Sequence, residues 1–423
     1  MPSVAPENLS PRQRVLSLAA VIASTVGVGI SYGIGYPITA LTFESWGTPS
    51  WYTGLVGSAP ALAILLCLPF FPKLVGALGT IRAMALGCVL VGGGFLLMPV
   101  FPSPEAWLVL RAIMGAGIAL PWLVGETWIN TVASDKTRGR MIALYAIVLF
   151  AGFAAGPFIL ETIGIDGWLP FLIAAGGILL AVVPIMAAAH LAPQMPEHPE
   201  TGVSGAFLLA PIAMVAGVVG GLLEMGHFAL LPVYALQSGM SETEALHLLT
   251  LFMVGGIALQ FVVGWLADRV SAQRVLIGAA LAFAVLAASL PLITEPWLRA
   301  AAVFTLGGLG IGFYTLGLAF IGQRVRVHDL AVANAAFLIT YQVGAMVGPS
   351  VGGIALDLWQ PHGFVAAMAI AALLGAGAMA LAGRRRDSDR AGRRRGSDRA
   401  GRRRDSDRNV APKDAGCGLP ARD

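Results

Sequence analysis

The chain consists of long apolar runs separated by short polar connections. A membrane-spanning helix needs about 20 consecutive apolar residues, and on this measure the runs predict twelve helices. The predicted spans are 15–41, 51–71, 81–101, 106–132, 141–163, 167–189, 205–236, 242–267, 273–294, 297–323, 329–356 and 360–382. Because the apolar residues do not form stripes on one helix face, the helix surfaces must face lipid. The pattern predicts an all-α membrane protein.

The spans divide the chain into two similar halves. We expect an N-terminal segment at 1–14, a six-helix half at 15–189, a linker at 190–204, a second half at 205–382 and a tail at 383–423. The halves repeat with a shift of about 192–195 residues. Pro37-Ile-Thr-Ala-Leu aligns with Pro232-Val-Tyr-Ala-Leu, Gly115-Ala-Gly-Ile with Gly308-Leu-Gly-Ile, and Gly156-Pro157 with Gly348-Pro349. Parallel repeats of this kind bind substrate between the halves near the middle of the membrane, which predicts a secondary transporter.

The composition agrees with a membrane protein. Apolar residues make up 57% of the chain and charged residues 12%, about half the charge of a soluble domain. The tail from Arg384 holds 14 of the 27 basic and 7 of the 23 acidic residues, so the sequence pI of about 9.1 reflects the tail and not the body. Its repeats of RRRDSDR type predict a disordered segment that is simply solvated, or that attaches to anionic lipid headgroups.

Charge along the connections predicts the orientation. Eleven basic residues lie on one side: Arg12, Arg14, Lys73, Arg82, Lys136, Arg138, Arg140, Arg269, Arg274, Arg324 and Arg326. The other side carries mainly acids, with Arg111 and Arg299 at its helix starts. By the positive-inside rule, both termini are expected in the cytoplasm, in a multi-pass protein of the inner membrane.

The sequence carries no catalytic, metal or nucleotide motif. Three cysteines form no disulfide or metal-binding pattern, and no nucleophile–base set or phosphate-binding glycine loop is present. We therefore expect neither an enzyme nor a cofactor, and no nucleic-acid partner. The expected partners are a small-molecule substrate, a proton or another coupling ion, and the lipid bilayer, with the chain acting as a monomer. A scaffold or sensor that has lost transport is the alternative.

Several motifs resemble those of a known family. Gly264-Trp-Leu-Ala-Asp268-Arg269, followed by Arg274, resembles the signature loop of the major facilitator superfamily, and a degenerate copy precedes Arg82. Arg111-x-x-x-Gly115 is similar to the family's motif in the fourth helix. Trp122-Leu-Val-Gly-Glu126 with Tyr145 looks like the bacterial YcaD-type branch. The resemblance covers Arg14 to Ala382 and implies the two-halved transporter fold of that family.

The resemblance implies a cytoplasmic gate. Asp268, Arg269 and Arg274 would pair with a neighbouring helix end when the cytoplasmic side is closed; a simple contribution to orientation is the alternative. In the first half, we expect Glu126 to face Arg82 or Arg140 as a structural ion pair, with substrate contact as the alternative.

Two charged residues lie inside apolar runs. Arg111 and Glu224 belong to helices that the family places around the central cavity. An intramembrane charge costs about 2.5–3.5 kcal/mol on insertion scales, so we hypothesise that the two pair across the halves or compete for a proton. The alternative is that each is satisfied within its own half. His227 follows Glu224 by three positions and is either a proton-holding partner of Glu224 or a structural histidine.

The remaining candidates are polar cavity residues and glycine–proline motifs. The expected cavity-lining residues are Tyr32, Tyr36, Trp122, Tyr314, Asn334, Tyr341 and Gln342. The expected helix-bending residues are Gly152, Gly156, Pro157, Gly344, Gly348 and Pro349. The family associates the motif in the fifth helix with antiporters, but the trailing glycines are missing there. We expect proton-coupled movement of a small organic solute, with export preferred to uptake.

Overall fold

The twelve apolar runs form twelve long helices in a computed structural model, which describes residues 9–134, 137–193 and 203–384. All twelve are long and apolar enough to cross a membrane. They are α1 Pro11–Ser45, α2 Ser50–Cys67, α3 Thr80–Leu97, α4 Pro104–Val132, α5 Arg138–Ile163, α6 Leu169–Ala187, α7 Pro211–Gln237, α8 Glu242–Arg269, α9 Ala272–Leu292, α10 Pro296–Arg324, α11 Val332–Leu358 and α12 Gly363–Arg384. The described residues contain no β-strand, and the predicted all-α membrane fold is confirmed.

Proline explains two of the predicted boundaries that are wrong by several residues. The second span was expected to reach residue 71, but α2 ends at Cys67 and a separate short helix, Phe71–Leu78, follows with Pro72 in its first turn. The seventh span was expected from residue 205, but a 3₁₀ turn at Val203–Leu208 precedes α7, which begins at Pro211. Proline lacks an N–H and has a fixed φ, so it favours the first turn of a helix over its interior.

Three predicted segments lie wholly or partly outside the described residues. These are the N-terminal segment up to residue 8, the linker between residues 194 and 202, and the tail from residue 385. Up to Met379 the described helices form one compact unit.

The two halves repeat the same packing. In the first half α1 packs against α5, α3 against α4 and α2 against α4. The corresponding pairs in the second half are α7 with α11, α9 with α10 and α8 with α10. The halves meet mainly where α2 packs on α11 and α5 packs on α8. This arrangement leaves α1, α4, α7 and α10 turned towards the centre of the bundle.

Glycines allow the closest helix contacts in both halves. A Cβ atom at Gly156 of α5 would overlap the backbone of Gly33 in α1, and one at Gly348 of α11 would overlap the Leu222 carbonyl in α7. Lipid provides no hydrophobic drive for helix association, so small residues that let backbones touch stabilise such pairs. Both helices continue through Pro157 and Pro349. The glycines therefore serve close packing, and bending at the prolines stays a prediction.

The bundle has two chemically different faces. The α2–α3, α8–α9 and α10–α11 connections carry Arg82, Arg269, Arg274 and Arg326, and we call this end the basic face. The α1–α2, α5–α6 and α7–α8 connections lie at the opposite end, which we call the acidic face. Hydrogen bonds and one histidine–carboxylate contact join Glu44, Glu161 and Asp357 to the other half of the bundle there.

Replacing Gly156 by alanine should destabilise the bundle. The added methyl group has no room against the Gly33 backbone, and overpacking of this kind typically costs about 1–3 kcal/mol. We expect a clear fall in the melting temperature of the detergent-purified Gly156→Ala protein, measured by thermal denaturation with size-exclusion detection. The matched control is Gly176→Ala in α6, where a Cβ meets nothing within 4 Å. Equal melting temperatures for the two variants would contradict the close-packing role.

Candidate functional site

A central cavity lies between the two halves. It has a volume of about 720 Å³, and its walls come from α1, α4, α5, α7, α10 and α11. It extends from Tyr32 and Glu224 within the bundle to Asn130 and Gly322, near the basic-face ends of α4 and α10. Six of the seven expected lining residues are on its wall: Tyr32, Trp122, Tyr314, Asn334, Tyr341 and Gln342. The cavity therefore opens on the basic face.

Glu224 is held on the cavity wall by a tyrosine of the same half. The Tyr341 hydroxyl of α11 donates to Glu224 Oε2 at 2.6 Å, and the glutamate is only 2% exposed. The Tyr341 ring in turn packs edge-on against Tyr314 of α10, with ring centroids 5.2 Å apart. Glu224 thus reaches the cavity while its carboxylate accepts a hydrogen bond from Tyr341.

Arg111 is buried behind two tyrosines of α1. Its guanidinium carbon lies 4.5 Å from the centroid of the Tyr36 ring, and the Tyr36 and Tyr32 hydroxyl oxygens are 3.2 Å apart. Tyr36 is 2% exposed and packs between Arg111 and Phe228, so it supports Tyr32 instead of lining the cavity. The hypothesis of a direct Arg111–Glu224 pair is wrong for this conformation, because Arg111 stacks on Tyr36 while Glu224 binds Tyr341.

His227 does not form a couple with Glu224. Its Nδ1 lies 2.7 Å from the Leu223 carbonyl oxygen, and its ring stacks on Phe252 at 4.9 Å. Phe283 and Phe364 pack against the same ring. The helix turns between these two positions. The His227 side chain therefore points into the packed second half, whereas the Glu224 side chain faces the cavity. The prediction of a Glu–His proton couple is therefore wrong for this conformation, and the packing of the ring favours the alternative of a structural histidine.

Glu126 lies on the cavity wall and not in a latch. The indole N–H of Trp122, which lies one helical turn earlier on α4, donates to Glu126 Oε1 at 2.8 Å. Arg82 and Arg140 are exposed, and neither forms an ion pair with Glu126 in the described chain. The expected ion pair is absent from this open conformation, because the helix turns this side chain inward and away from both arginines, and its formation on closure stays a prediction.

The predicted gate residues of the second half are exposed on the open basic face. Asp268, Arg269 and Arg274 are all exposed, and the Arg269 guanidinium stacks on Trp265 at 4.1 Å. The predicted latch would form when this face closes. Its pairing stays a prediction.

The acidic face is closed by contacts that the sequence analysis missed. Asp357 of α11 accepts hydrogen bonds from the Ser50 and Trp51 N–H groups at the start of α2, at 2.9 and 2.8 Å. Pro49 precedes α2 and provides no side-chain cap, so a carboxylate from the other half caps this helix. Ser58 and Ser350 also join α2 to α11 at 2.8 Å. We call Asp357, Ser50, Trp51, Ser58 and Ser350 the acidic-face seal.

Two further contacts cross between the halves at the acidic face. Gln237 of α7 donates to Glu44 of α1 at 3.3 Å, and His247 of α8 lies 3.3 Å from Glu161 of α5. The uncapped start of α2 was the sequence signal that could have pointed to this region. The pairing partners themselves depend on how the two halves meet, which the sequence does not show.

Comparison with known proteins gives a family match. The model of the Major Facilitator Superfamily matches residues 17–246 and residues 213–413. The uncharacterized MFS-type transporter YfkF of Bacillus subtilis is 27% identical over 338 residues, covering 77% of this chain and 85% of the relative. The uncharacterized MFS-type transporter YcaD of Salmonella arizonae is 26% identical over 306 residues, covering 71% and 79%. The resemblance to the YcaD-type branch is confirmed.

Solved structures share the fold. A bacterial homolog of the human lysosomal transporter Spinster, in an inward-facing and unoccupied conformation, aligns with a TM-score of 0.67 and 14% identity, over 89% of this chain and 98% of that one. The nucleoside transporter NupG aligns with a TM-score of 0.64 and 13% identity, over 88% and 97%. The family model and the MFS-type relatives confirm the expectation of a transporter and not an enzyme.

Removing the charge of Asp357 should open the acidic face. A carboxylate at a helix N-terminus contributes about 1–2 kcal/mol in partly buried geometry, which corresponds to a shift of roughly 5- to 30-fold in a two-state equilibrium. Spin labels at Ser45→Cys and Glu242→Cys, both exposed and on opposite halves, report the separation of this face by double electron–electron resonance. We expect Asp357→Asn to add a longer-distance population. Asp166→Asn on the same face is the control, and identical distance distributions in both variants would contradict the seal.

Proposed function

The chain belongs to the Major Facilitator Superfamily, and on this premise we propose that it is a proton-coupled secondary active transporter that exports a small organic solute. The observation that carries this proposal is a cavity of about 720 Å³ between the halves with the Glu224 carboxylate on its wall. Cavities of this size hold a drug-sized molecule. The cavity forms within one chain, which supports a transporter that works as a monomer.

The orientation that we propose places the basic face in the cytoplasm of a bacterial inner membrane. Arg82, Arg269, Arg274 and Arg326 lie on this face, as the positive-inside rule requires of cytoplasmic connections. The cavity opens on the same face, so the solute would load from the cytoplasm. Closing this face and breaking the acidic-face seal would release the solute on the other side.

Glu224 is the residue that we propose for proton coupling. It reaches the cavity, and the groups that face it or lie close by are Tyr341, Tyr32 and Tyr314, with Arg111 behind Tyr36. A charge inside the bundle is costly, so protonation and deprotonation of Glu224 would change the stability of each conformation. Proton binding from one side and release to the other would then drive the cycle. Arg111, which has no acidic partner in the described chain, would contribute a fixed positive charge nearby.

Replacing Glu224 by glutamine should uncouple transport from the pH gradient. A thermal-shift screen of metabolites and drugs first identifies a solute, and its flux is then measured in proteoliposomes with and without an imposed gradient. A gradient of one pH unit corresponds to about 1.4 kcal/mol, a tenfold change in the achievable solute ratio. We expect this stimulation to disappear in Glu224→Gln, while solute exchange without a gradient continues at a measurable rate, since the amide keeps the size of the side chain.

Glu105→Gln is the matched control, because Glu105 is exposed on the acidic face and has the same chemistry. Its flux should respond to the gradient as the unmodified protein does. Gradient-driven flux that persists in Glu224→Gln would exclude this residue as the coupling site. Inward accumulation would indicate uptake instead of export, and a protein that moves no solute would indicate a scaffold or sensor.

A further inference from the structure

The charged groups on the cavity wall are of one sign. Among the lining residues that the structure describes, Glu126 and Glu224 are the charged side chains, and no lysine, arginine or histidine is present. Glu126 comes from α4 in the first half and Glu224 from α7 in the second. The two carboxylates therefore face one cavity from opposite halves.

Each carboxylate keeps an oxygen available to a ligand. Within the described chain, Glu126 accepts one hydrogen bond, from Trp122 at 2.8 Å, and Glu224 accepts one, from Tyr341 at 2.6 Å. Both donors are neutral, and the cavity wall that the structure describes contains no cationic side chain that would balance either charge. Buried carboxylates without a counter-ion are unfavourable, and a cation entering the cavity would relieve this cost.

The nearest buried cation is held away from this space. Arg111 is 2% exposed, and its guanidinium packs on the Tyr36 ring behind Tyr32. It lines a separate void of about 10 Å³, large enough for a single water molecule. Arg111 is therefore not among the residues that line the cavity.

The rest of the wall is aromatic. Seven aromatic side chains line the cavity: Tyr32, Trp122, Tyr145, Phe150, Phe153, Tyr314 and Tyr341. Aromatic faces attract cations through the negative potential of the ring, most strongly where water is excluded. They also bind apolar groups of a ligand. Carboxylates and aromatic rings in one cavity are a combination that suits an organic cation.

From this arrangement we propose that the transported solute is an organic cation, with its apolar groups against the aromatic wall and its charge between Glu126 and Glu224. This inference rests on the proposed transport function and adds the substrate class. Neutral solutes would leave both carboxylates unbalanced, and anions would be repelled by them.

The test compares two ions of nearly the same shape and opposite charge. Tetraphenylphosphonium is a permanent cation and tetraphenylborate its anionic counterpart. Binding of each to the purified full-length protein is measured by equilibrium dialysis, with protein-free micelles subtracted. We expect saturable binding of the cation and none of the anion. Saturable binding of the anion with equal or higher affinity, or of neither ion, would overturn the proposal, and this comparison needs no variant.

Variants then locate the bound cation. The cation affinity should fall at least tenfold in the double variant Glu126→Gln, Glu224→Gln and stay unchanged in Glu105→Gln, Glu295→Gln, whose glutamates are exposed on the acidic face. An unchanged affinity in the first double variant would overturn the proposal.

The single variant Glu126→Gln separates this inference from the proposed proton coupling. It should weaken cation binding while solute flux keeps its response to the pH gradient. Cation binding that depends on the two glutamates, together with flux that ignores the gradient, would contradict the coupling but not the substrate class. Gradient-driven flux of neutral solutes, without cation binding, would contradict the substrate class but not the coupling.

Discussion

The cost of placing a charge inside a membrane bundle governs this structure. Arg111, Glu126 and Glu224 lie within spanning helices, and each is turned inward, where aromatic side chains stabilise it. Tyr36 stacks on the arginine, while Trp122 and Tyr341 donate to the glutamates. None of the three is neutralised by an opposite charge within the described chain. Within the described chain, the cavity wall therefore holds two carboxyl groups and no cationic side chain.

The fold could be predicted largely from the sequence, because lipid imposes a simple length rule on each span. The twelve runs and the repeat of Gly156-Pro157 by Gly348-Pro349 identified both the helix count and the equivalent helices. Errors occurred where proline starts a helix, at Pro72 and Pro211, since hydropathy alone does not separate a span from an apolar segment beside it. The contacts of Gly156 and Gly348 show that they bring backbones together, whereas bending at the neighbouring prolines stays a prediction.

The site was predictable as a set of residues but not as a set of pairs. Inward-facing helices could be identified, and six of the seven proposed lining residues lie on the cavity wall. The pairing of these groups depends on the rotation of each helix and on the angle between the halves. The local sequence determines neither. Glu126 therefore faces Trp122 and not an arginine, and His227 faces Phe252 and not Glu224. Asp357 caps a helix 306 positions away in the chain, a contact that no local pattern predicts.

We propose that the solute binds in this cavity, at its carboxylates. The most direct measurement is a cryo-electron microscopy structure of the protein with the solute that stabilises it best, using an antibody fragment as a fiducial. We expect ligand density between α4 and α7, within hydrogen-bonding or ion-pairing distance of Glu126 or Glu224. Density outside the cavity, or a ligand in the cavity that touches neither carboxylate, would contradict it.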